Sequence, residues 1–222
     1  MSRTLDWRLL RKAPWLDTRA NFVNHTIKDG ALLDLGSSDG GTLRHFAELR
    51  PDLQFYAVDI CGVPEAYPVG CKFQRSDLQT ATLPWPDQSM DAITCMHLVE
   101  HLTEIGNLFR EAARLLKPGA RLYVETPHPK SMIMPSPAGA AAGTFTLNFF
   151  DDLTHVMPVS VGVLAQHSRS VGLRVTKTGI SRNLLFAALY PFLKLGRPSR
   201  KSYTAQVHWL GWSAYIIAER MA

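Results

Sequence analysis

The stretch ALLDLGSSDGG, residues 31–41, holds the residue types and the spacing that most clearly indicate ligand chemistry. Gly36 and Gly40 allow the backbone to turn sharply and to approach a ligand closely. The N–H groups that begin the next helix favour an electron-rich ligand group. Asp34 adds a carboxylate two residues before the first glycine, which favours a ligand with a positive amino group and disfavours a pyrophosphate. The alternative is a generic strand–turn–helix.

Two further acidic residues follow strand-like segments later in the chain. Asp59 follows QFYAV, 23 positions after Gly36, and is suited to accept hydrogen bonds from two ribose hydroxyls. Asp77 and Leu78 follow a third strand-like segment, where a carboxylate can bond an adenine amino group and an apolar side chain can pack on the ring. Together with the glycine turn, these residues indicate a nucleoside-containing ligand.

Alternating strand and helix patterns are expected to position these residues. The predicted strands are residues 31–34, 54–58, 71–75, 91–95, 121–125, 173–177 and 207–219. The predicted helices are residues 42–50, 99–116, 160–171 and 183–196. Asp17 is the expected N-cap of an earlier helix. Because open α/β sheets bind ligands at the carboxyl ends of their strands, we expect the acidic residues to meet at one edge.

The motifs after the glycine turn closely resemble those of the class I S-adenosylmethionine-dependent methyltransferases. They are DL at residues 77–78, LPWPDQSMD at 83–91, LVEHL at 98–102 and AARLLKPGARL at 112–122. The resemblance runs from residue 31 to about residue 129, and Ser38 stands where the family has its middle glycine. It implies an α/β fold: a Rossmann-like, seven-stranded, mostly parallel sheet with an antiparallel last strand and helices on both faces.

The same resemblance implies S-adenosyl-L-methionine as the cofactor. The implied cofactor-binding residues are Asp34, Gly36, Ser37, Ser38, Gly40, Asp59, Ile60, Asp77, Leu78, Met96 and His97. Asp34 and the glycines would lie at the methionine end, whereas Met96 and His97 would line the cleft near the sulfonium.

Methyl transfer to a hydroxyl group requires a base, and histidine suits this role because its ordinary pKa is about 6.5. We expect His155 to be catalytic, since it follows two aspartates that can orient its ring and lies in a loop that can reach the cleft. His97 is the second expected catalytic residue, and His101 and His128 are further candidates. The alternative for His155 is a structural histidine bonded to the backbone.

The spacing His97-x-x-Glu100-His101 also suits a divalent metal, provided that a helix has begun by residue 97. It is similar to the Glu-x-x-Glu-His cluster with which ubiquinone-pathway O-methyltransferases of this fold bind an ion. Many metal-free relatives carry the same V-E-H-L, and we therefore expect no metal.

The chain is expected to form one domain with three parts: an N-terminal helical cap (1–30), a cofactor-binding half (31–129) and a lid and substrate-side half (130–222). Residues 131–146 are poor in charge and rich in Pro, Gly and Ala, which predicts a mobile lid. The segment DDLTHVMP, residues 151–158, resembles a segment of methyltransferases from O-antigen and capsule glycan clusters, in which DPTHVRP is frequent.

The acceptor implied by this second resemblance is a sugar hydroxyl of a glycan or of a glycan precursor. One alternative is O-methylation of a small natural product or a quinone-like acceptor. Another is a non-catalytic module that only binds the cofactor. A nicotinamide-dependent oxidoreductase is disfavoured by Asp34.

Composition and charge indicate the compartment and the partners. The chain has 46% hydrophobic and 19% charged residues, which is typical of a globular protein. No signal peptide is visible, and no apolar run reaches the roughly 20 residues that span a bilayer. The three cysteines lack the spacing of a metal site. We therefore expect a cytoplasmic protein. Residues 168–222 carry nine Lys or Arg and one Glu, which allows peripheral contact with the inner face of a membrane. No aromatic–basic motif supports nucleic-acid binding.

Overall fold

The structure, a computed structural model, describes residues 7–138 and 143–221. The strands are β1 (Ala31–Leu35), β2 (Gln54–Asp59), β3 (Lys72–Arg75), β4 (Met90–Met96), β5 (Leu116–Pro127), β6 (Leu173–Ser181) and β7 (Ser213–Arg220). The helices are α1 (Thr18–Asn24), α2 (Gly41–Leu49), α3 (Gly106–Leu115), α4 (Val161–Ser170), α5 (Leu184–Leu193) and α6 (Arg200–Leu210). Short 3₁₀ turns connect several of these elements.

All seven strands form one mixed sheet in the order β3-β2-β1-β4-β5-β7-β6. The strands from β1 to β5 pair in parallel, and β7 runs antiparallel between β5 and β6. The predicted fold class is therefore confirmed. Because the chain leaves β1 toward β2 on one side and β4 lies on the other, a crevice for a ligand is expected between the carboxyl ends of β1 and β4.

Two apolar layers cover the two faces of the sheet. Helices α3 and α4 pack on one face through side chains such as Phe109 and Leu164. Helices α1 and α2 pack on the other face through side chains such as Phe22 and Phe46. Burial on both faces explains why β1 reads as a nearly continuous apolar run.

The N-cap expected at Asp17 is confirmed. Its Oδ1 accepts hydrogen bonds from Arg19 N and Ala20 N, each at 2.9 Å, which satisfies two free donors of α1. Of the expected lid, residues 139–142 lie outside the described part of the chain, and residues 129–133 form a 3₁₀ turn. Across the described residues, no helix is both long and apolar enough to cross a membrane.

The helix predicted from Val99 onward was wrong at its start. Val99–His101 forms a single 3₁₀ turn, and α3 begins only at Gly106. The intervening chain is held by Gln79, whose Oε1 accepts hydrogen bonds from Thr103 N at 2.9 Å and Glu104 N at 3.2 Å. A side chain from another segment thus competes with helical hydrogen bonding.

The last predicted strand, residues 207–219, was also wrong at its start. Residues 200–210 form α6, which begins at a capping box between Ser199 and Ser202. It ends at Gly211, whose φ of 68° is accessible to glycine at little cost. Strand β7 then starts at Ser213. The apolar run VHWLGW is compatible with a helix or with a strand. The capping box at Ser199 and the C-cap at Gly211 favour the helix.

Candidate active site

Two of the predicted acidic residues lie next to each other at the carboxyl edge of the sheet. Asp59 ends β2, and its carboxylate accepts hydrogen bonds from Ser38 N and Cys61 N, each at 2.8 Å. Ser76 N donates to Asp59 O at 3.2 Å, which brings Asp77 beside the end of β2. The glycine turn, Asp59 and Asp77 therefore lie at the same carboxyl edge of the sheet, as the sequence predicts. Their contacts with a cofactor stay a prediction.

Asp34 is buried rather than exposed at the edge of the sheet, since only 2% of its surface is exposed. Its Oδ1 accepts a hydrogen bond from Thr94 Oγ1 at 2.7 Å. Burial raises the pKa of Asp34 to about 7, against the opposing effect of that hydrogen bond. A cationic amino group beside the carboxylate would stabilise its ionised form. Asp34 therefore fits a ligand with an ammonium group, and near pH 7 its charge depends on such a partner.

The two glycines of the turn make room for protein atoms. Gly36 has a φ of +76°, and a Cβ there would lie 2.8 Å from Leu98 Cδ2. Gly40 has a φ of +71°, and a Cβ there would lie 2.6 Å from Ala66 O and 2.8 Å from Tyr67 Cδ1. We expected these glycines to allow close approach of a ligand. The atoms that approach them in the structure belong to neighbouring loops, so their requirement for glycine is explained without a ligand.

The other expected cofactor residues differ in accessibility. Ser37 is buried and its hydroxyl donates to Val58 O at 3.2 Å, so the side chain faces the protein interior. Leu78 is buried in the apolar layer on the α3 face. Ile60, in contrast, is exposed at the rim, and Met96 at the end of β4 is half-buried. The side chains of Ile60 and Met96 are thus accessible and those of Ser37 and Leu78 are not, and cofactor binding by any of the four stays a prediction.

His97 lies between two buried carboxylates. Its Nδ1 donates to Glu100 Oε1 at 3.0 Å, and its Nε2 donates to Glu125 Oε1 at 3.1 Å. Burial alone would lower the pKa of His97, but these two carboxylates outweigh it and raise the pKa to about 9. The ring is therefore an imidazolium at neutral pH. Both nitrogens of an imidazolium carry protons, which disfavours the expected role of His97 as a catalytic base; that role stays a prediction.

Arg19 completes this charged network from the N-terminal helix. Its Nε donates to Glu125 Oε2 at 2.9 Å and its Nη2 to Glu125 Oε1 at 2.5 Å, while Tyr123 OH donates to Oε2 at 2.5 Å. Burial opposes ionisation of Glu125, but Arg19 and His97 hold its pKa well below the usual range. Sequence reasoning missed this network. The available signal was Glu125 itself, a charged residue in a strand that is otherwise buried and therefore needs a partner.

His155 is covered by its neighbours and has a fixed tautomer. Its Nδ1 lies 2.6 Å from Phe149 O and donates to it, which leaves the lone pair on Nε2. Asp152 Oδ2 is 3.9 Å from Nε2, too far for a hydrogen bond. We expected the preceding aspartates to orient the ring, but the Phe149 carbonyl orients it. The catalytic role of His155 stays a prediction.

The remaining candidate histidines have backbone partners. His101 Nδ1 lies 3.1 Å from Thr154 O, and His128 Nδ1 accepts a hydrogen bond from Lys130 N at 3.1 Å at the start of a 3₁₀ turn. His97 and His101 do not share a helix face, because residue 97 has a φ of 53° and no helix has begun there. A different set, Glu100, His101 and His155, has ligand atoms within 4.8 Å of one another.

A cleft of about 410 Å³ opens beside the glycine turn. Its walls come from the first turns of α1 and α2 and from α5 and α6. Arg19 lines this cleft and also bonds Glu125 at the carboxyl end of β5, so the cleft adjoins the edge that carries the cofactor candidates. Trp7 stacks on His45 at one side, with ring centroids 5.0 Å apart. This is the candidate acceptor cleft.

Comparison with known proteins agrees with this arrangement. Residues 33–124 match the family model of the methyltransferase domain. An S-adenosylmethionine-dependent methyltransferase from Mesorhizobium loti has the same fold, with a TM-score of 0.64 and 18% identity over 95% of this chain and 98% of that chain.

Residues 33–124 therefore carry a methyltransferase domain. The expectations of a methyltransferase domain and of S-adenosyl-L-methionine as its cofactor are thereby confirmed, whereas the activity of the whole protein stays a prediction.

Two curated relatives have names that refer to quinones. The demethylmenaquinone methyltransferase of Tropheryma whipplei is 32% identical over 133 residues, 57% of this chain and 54% of the relative. The ubiquinone biosynthesis O-methyltransferase of Albidiferax ferrireducens is 25% identical over 173 residues, 72% of this chain and 67% of the relative. The chain thus spans about half the length of the first relative and two thirds of the second.

Proposed function

We propose that the protein transfers a methyl group from S-adenosylmethionine to a sugar hydroxyl of a glycan or of a glycan precursor. The observation that carries the proposal is the cleft of about 410 Å³, which adjoins the cofactor edge and combines an aromatic face with polar side chains. Trp7 supplies the aromatic face, and Thr42 and Thr204 supply hydroxyl groups. Sugars are recognised by such mixed surfaces, because they present both C–H faces and hydroxyls.

S-adenosylmethionine, when bound, supplies an activated methyl group. Asp34 would pair with its ammonium group, and Asp59 would accept hydrogen bonds from its ribose. The network of Arg19, Glu125 and His97 joins α1 to the carboxyl ends of β4 and β5, beside which the reacting atoms would lie. Alignment of donor and acceptor is the main contribution that such a rigid site makes to the rate.

His155 is the proposed general base. Its Nε2 carries a lone pair, since Nδ1–H is donated to Phe149 O. The following residue, Val156, donates its N–H to Glu100 O at 2.8 Å, so this loop is tied to the turn that follows β4. The ring is nearly covered in the present conformation, and a hydroxyl would reach Nε2 only after a shift of the 147–157 loop.

Two measurements test the proposal in sequence. Calorimetric titration with S-adenosylhomocysteine should show binding, and absence of binding by the folded protein would refute the assignment. Intact-mass analysis of sugar acceptors incubated with S-adenosylmethionine should then show a gain of one methyl group. His155→Asn should lower kcat about 100-fold or more while KM changes little. His25→Asn, an exposed histidine at the end of α1, is the matched control and should leave kcat unchanged.

A quinone-like acceptor is the second candidate. It is favoured by the two relatives, which are named as a demethylmenaquinone methyltransferase and a ubiquinone biosynthesis O-methyltransferase. The same mass analysis with a catechol acceptor separates the two functions. A non-catalytic domain would bind S-adenosylhomocysteine and methylate neither class.

We also propose that α5 and its following loop contact an anionic membrane surface. Leu189, Phe192 and Leu195 recur at intervals of three, with 44%, 74% and 82% of each residue exposed. Lys194 and Arg197 lie beside them, and residues 184–210 contain no acidic residue. Apolar side chains flanked by cations suit an anionic lipid interface.

Co-sedimentation with vesicles tests this contact. Phosphatidylglycerol vesicles should retain the protein and phosphatidylcholine vesicles should not. Phe192→Ser with Leu195→Ser should abolish retention, whereas Ile27→Ser with Val69→Ser, two exposed apolar residues of other loops, should preserve it. Equal retention of both double variants, or a concentration-dependent dimer that buries α5, would contradict the proposal.

A further inference from the structure

The acceptor cleft contains two positively charged side chains that form no ion pair with an acidic side chain of the described residues. Arg200 and Lys201, in the first turn of α6, line the cleft and are exposed. Within residues 7–138 and 143–221, neither forms an ion pair with an acidic side chain. An unpaired pair of adjacent cations in a concave site favours an anionic ligand group.

The carboxylates of the cleft form no ion pair with these two cations, and each is oriented by other partners. Asp17 accepts hydrogen bonds from two backbone N–H groups of α1, and its Oδ2 accepts one from Asn183 Nδ2 at 3.0 Å. Asp39 Oδ1 accepts from Gly41 N at 2.9 Å, and its Oδ2 lies 3.9 Å from Arg44 Nη2. Asp17 and Asp39 thus accept hydrogen bonds from nearby backbone N–H groups, and Asp39 also lies near Arg44.

The third cation of the cleft, Arg19, is compensated by Glu125. The free positive charge is therefore concentrated at Arg200 and Lys201. The first turns of α2 and α6 both line the cleft, and the positive ends of their helix dipoles add to the same potential.

His208 adds a neutral donor to this wall. Its Nδ1 accepts a hydrogen bond from Asn183 N at 3.1 Å, and burial lowers the pKa of His208 to about 4. The neutral ring therefore carries its proton on Nε2, as a donor in the lining of the cleft. A neutral donor beside two cations is a suitable set for phosphate oxygens.

Building on the proposed function, we propose that this cleft binds a phosphate or diphosphate group of the methyl acceptor, through Arg200, Lys201 and His208. The acceptor class is then a sugar linked to phosphate, whose ring lies between this anion site and the cofactor edge. The cleft volume of about 410 Å³ lies within the range of small-molecule sites and has room for a sugar phosphate. A sugar diphosphate can be linked to a nucleoside or to a lipid, and the two share this chemistry.

Charge-neutral double variants of the full chain test the site. Arg200→Gln with Lys201→Gln removes the two cleft cations. Arg169→Gln with Lys177→Gln removes the same charge from exposed positions that do not line this cleft, and is the matched control. Inorganic pyrophosphate is titrated by calorimetry at fixed ionic strength, with and without saturating S-adenosylhomocysteine, since surface charge alone is screened by salt.

We expect the cleft variant to bind pyrophosphate at least about tenfold more weakly, and the control variant to match the unmodified protein. Equal loss in both variants, or no binding of pyrophosphate to the unmodified protein, would overturn the anion site. Competition between pyrophosphate and S-adenosylhomocysteine would also overturn the anion site. Such competition would show that Arg200 and Lys201 bind the carboxylate of the cofactor.

Two further ligands distinguish the sources of the anion. UDP-glucose should bind more tightly than pyrophosphate if the acceptor is a nucleotide sugar, and a short prenyl diphosphate should do so if it is lipid-linked. Failure to bind S-adenosylhomocysteine, with pyrophosphate binding intact, would refute the proposed function and leave the anion site standing. The two failures are therefore distinguishable.

Discussion

Arg19 and Glu125 are 106 residues apart in the chain and form a two-bond ion pair at the edge of the sheet. The Glu125 side chain is only 1% exposed. The pair joins the N-terminal helix to β5 and lies next to His97. It therefore links the stability of the fold to the shape of the active site.

Removal of one partner should be costly. Arg19→Met should lower the free energy of unfolding by about 3 kcal/mol, because the Glu125 carboxylate stays buried with one cation fewer. Urea denaturation measures this change. Arg19→Met combined with Glu125→Gln should recover part of the loss, since no uncompensated charge remains.

The matched control for this ion pair is Arg174, which lies 3.5 Å from Glu219 on the exposed edge of the sheet. Arg174→Met should cost less than about 1 kcal/mol. Similar losses for Arg19→Met and Arg174→Met would show that burial of the first pair has no energetic consequence.

The His97 imidazolium makes stability depend on pH in the alkaline range. Its pKa is raised to about 9 in the folded protein, against an ordinary value of about 6.5. The stabilisation is therefore complete below about pH 6.5 and is lost as the pH rises through 9. The difference in unfolding free energy between the unmodified protein and His97→Gln should shrink from pH 6.5 to pH 9.5.

An NMR titration of the His97 ring carbon gives the direct measurement, with His97→Gln used to assign the signal. A midpoint near the ordinary histidine value would contradict the assignment of His97 as a cation. It would also restore His97 as a candidate base.

Asp34→Asn should have opposite effects on stability and on cofactor affinity. Because burial raises the pKa of Asp34 to about 7, ionisation of this carboxyl lowers stability as the pH rises from about 4 to 7. The amide lacks this cost, so the variant without cofactor should be relatively more stable at pH 8 than at pH 5. Its affinity for S-adenosylhomocysteine should fall about 10- to 100-fold, since the ammonium group loses a charged partner.

Thermal unfolding at the two pH values and calorimetry at pH 8 check these expectations for Asp34→Asn. Unchanged affinity would exclude Asp34 from contact with the ammonium group. A pH-independent difference in stability would instead show that the carboxyl keeps one protonation state over this range.

Gly36→Ala should combine backbone strain with a steric clash. A φ of +76° costs an L-residue about 1–2 kcal/mol, and the new Cβ would lie 2.8 Å from a Leu98 methyl carbon. Gly119 has a φ of +77°, and a Cβ added there would meet no other atom within 4 Å, so Gly119→Ala isolates the strain.

Both alanine variants should be destabilised, and Gly36→Ala by about 1–3 kcal/mol more. Only Gly36→Ala should also lose affinity for S-adenosylhomocysteine, because Leu98 and the turn must shift together. Denaturation and calorimetry on the pair measure this. Equal destabilisation of the two variants would mean that Leu98 moves aside freely.

Local sequence patterns predicted much of the fold. Asp17 as an N-cap, the turn after Asp34 and the apolar strands depend on neighbours in the chain, so residue type and spacing suffice to predict them. The start of α3 depends on Gln79, whose side chain bonds residues 103 and 104. No pattern near Val99 carries that information, which is why its predicted helix was wrong.

By itself, the sequence determined the α/β order of elements, the glycine turn and the acidic residues at strand ends, because strand and turn preferences are local. Only the tertiary structure decided which of these residues could act. It buried Asp34 and Ser37, made His97 a cation between Glu100 and Glu125, and brought Arg19 and Arg200 into one cleft. Charge state and accessibility arise from contacts between distant segments, and those contacts exist only once the chain has folded.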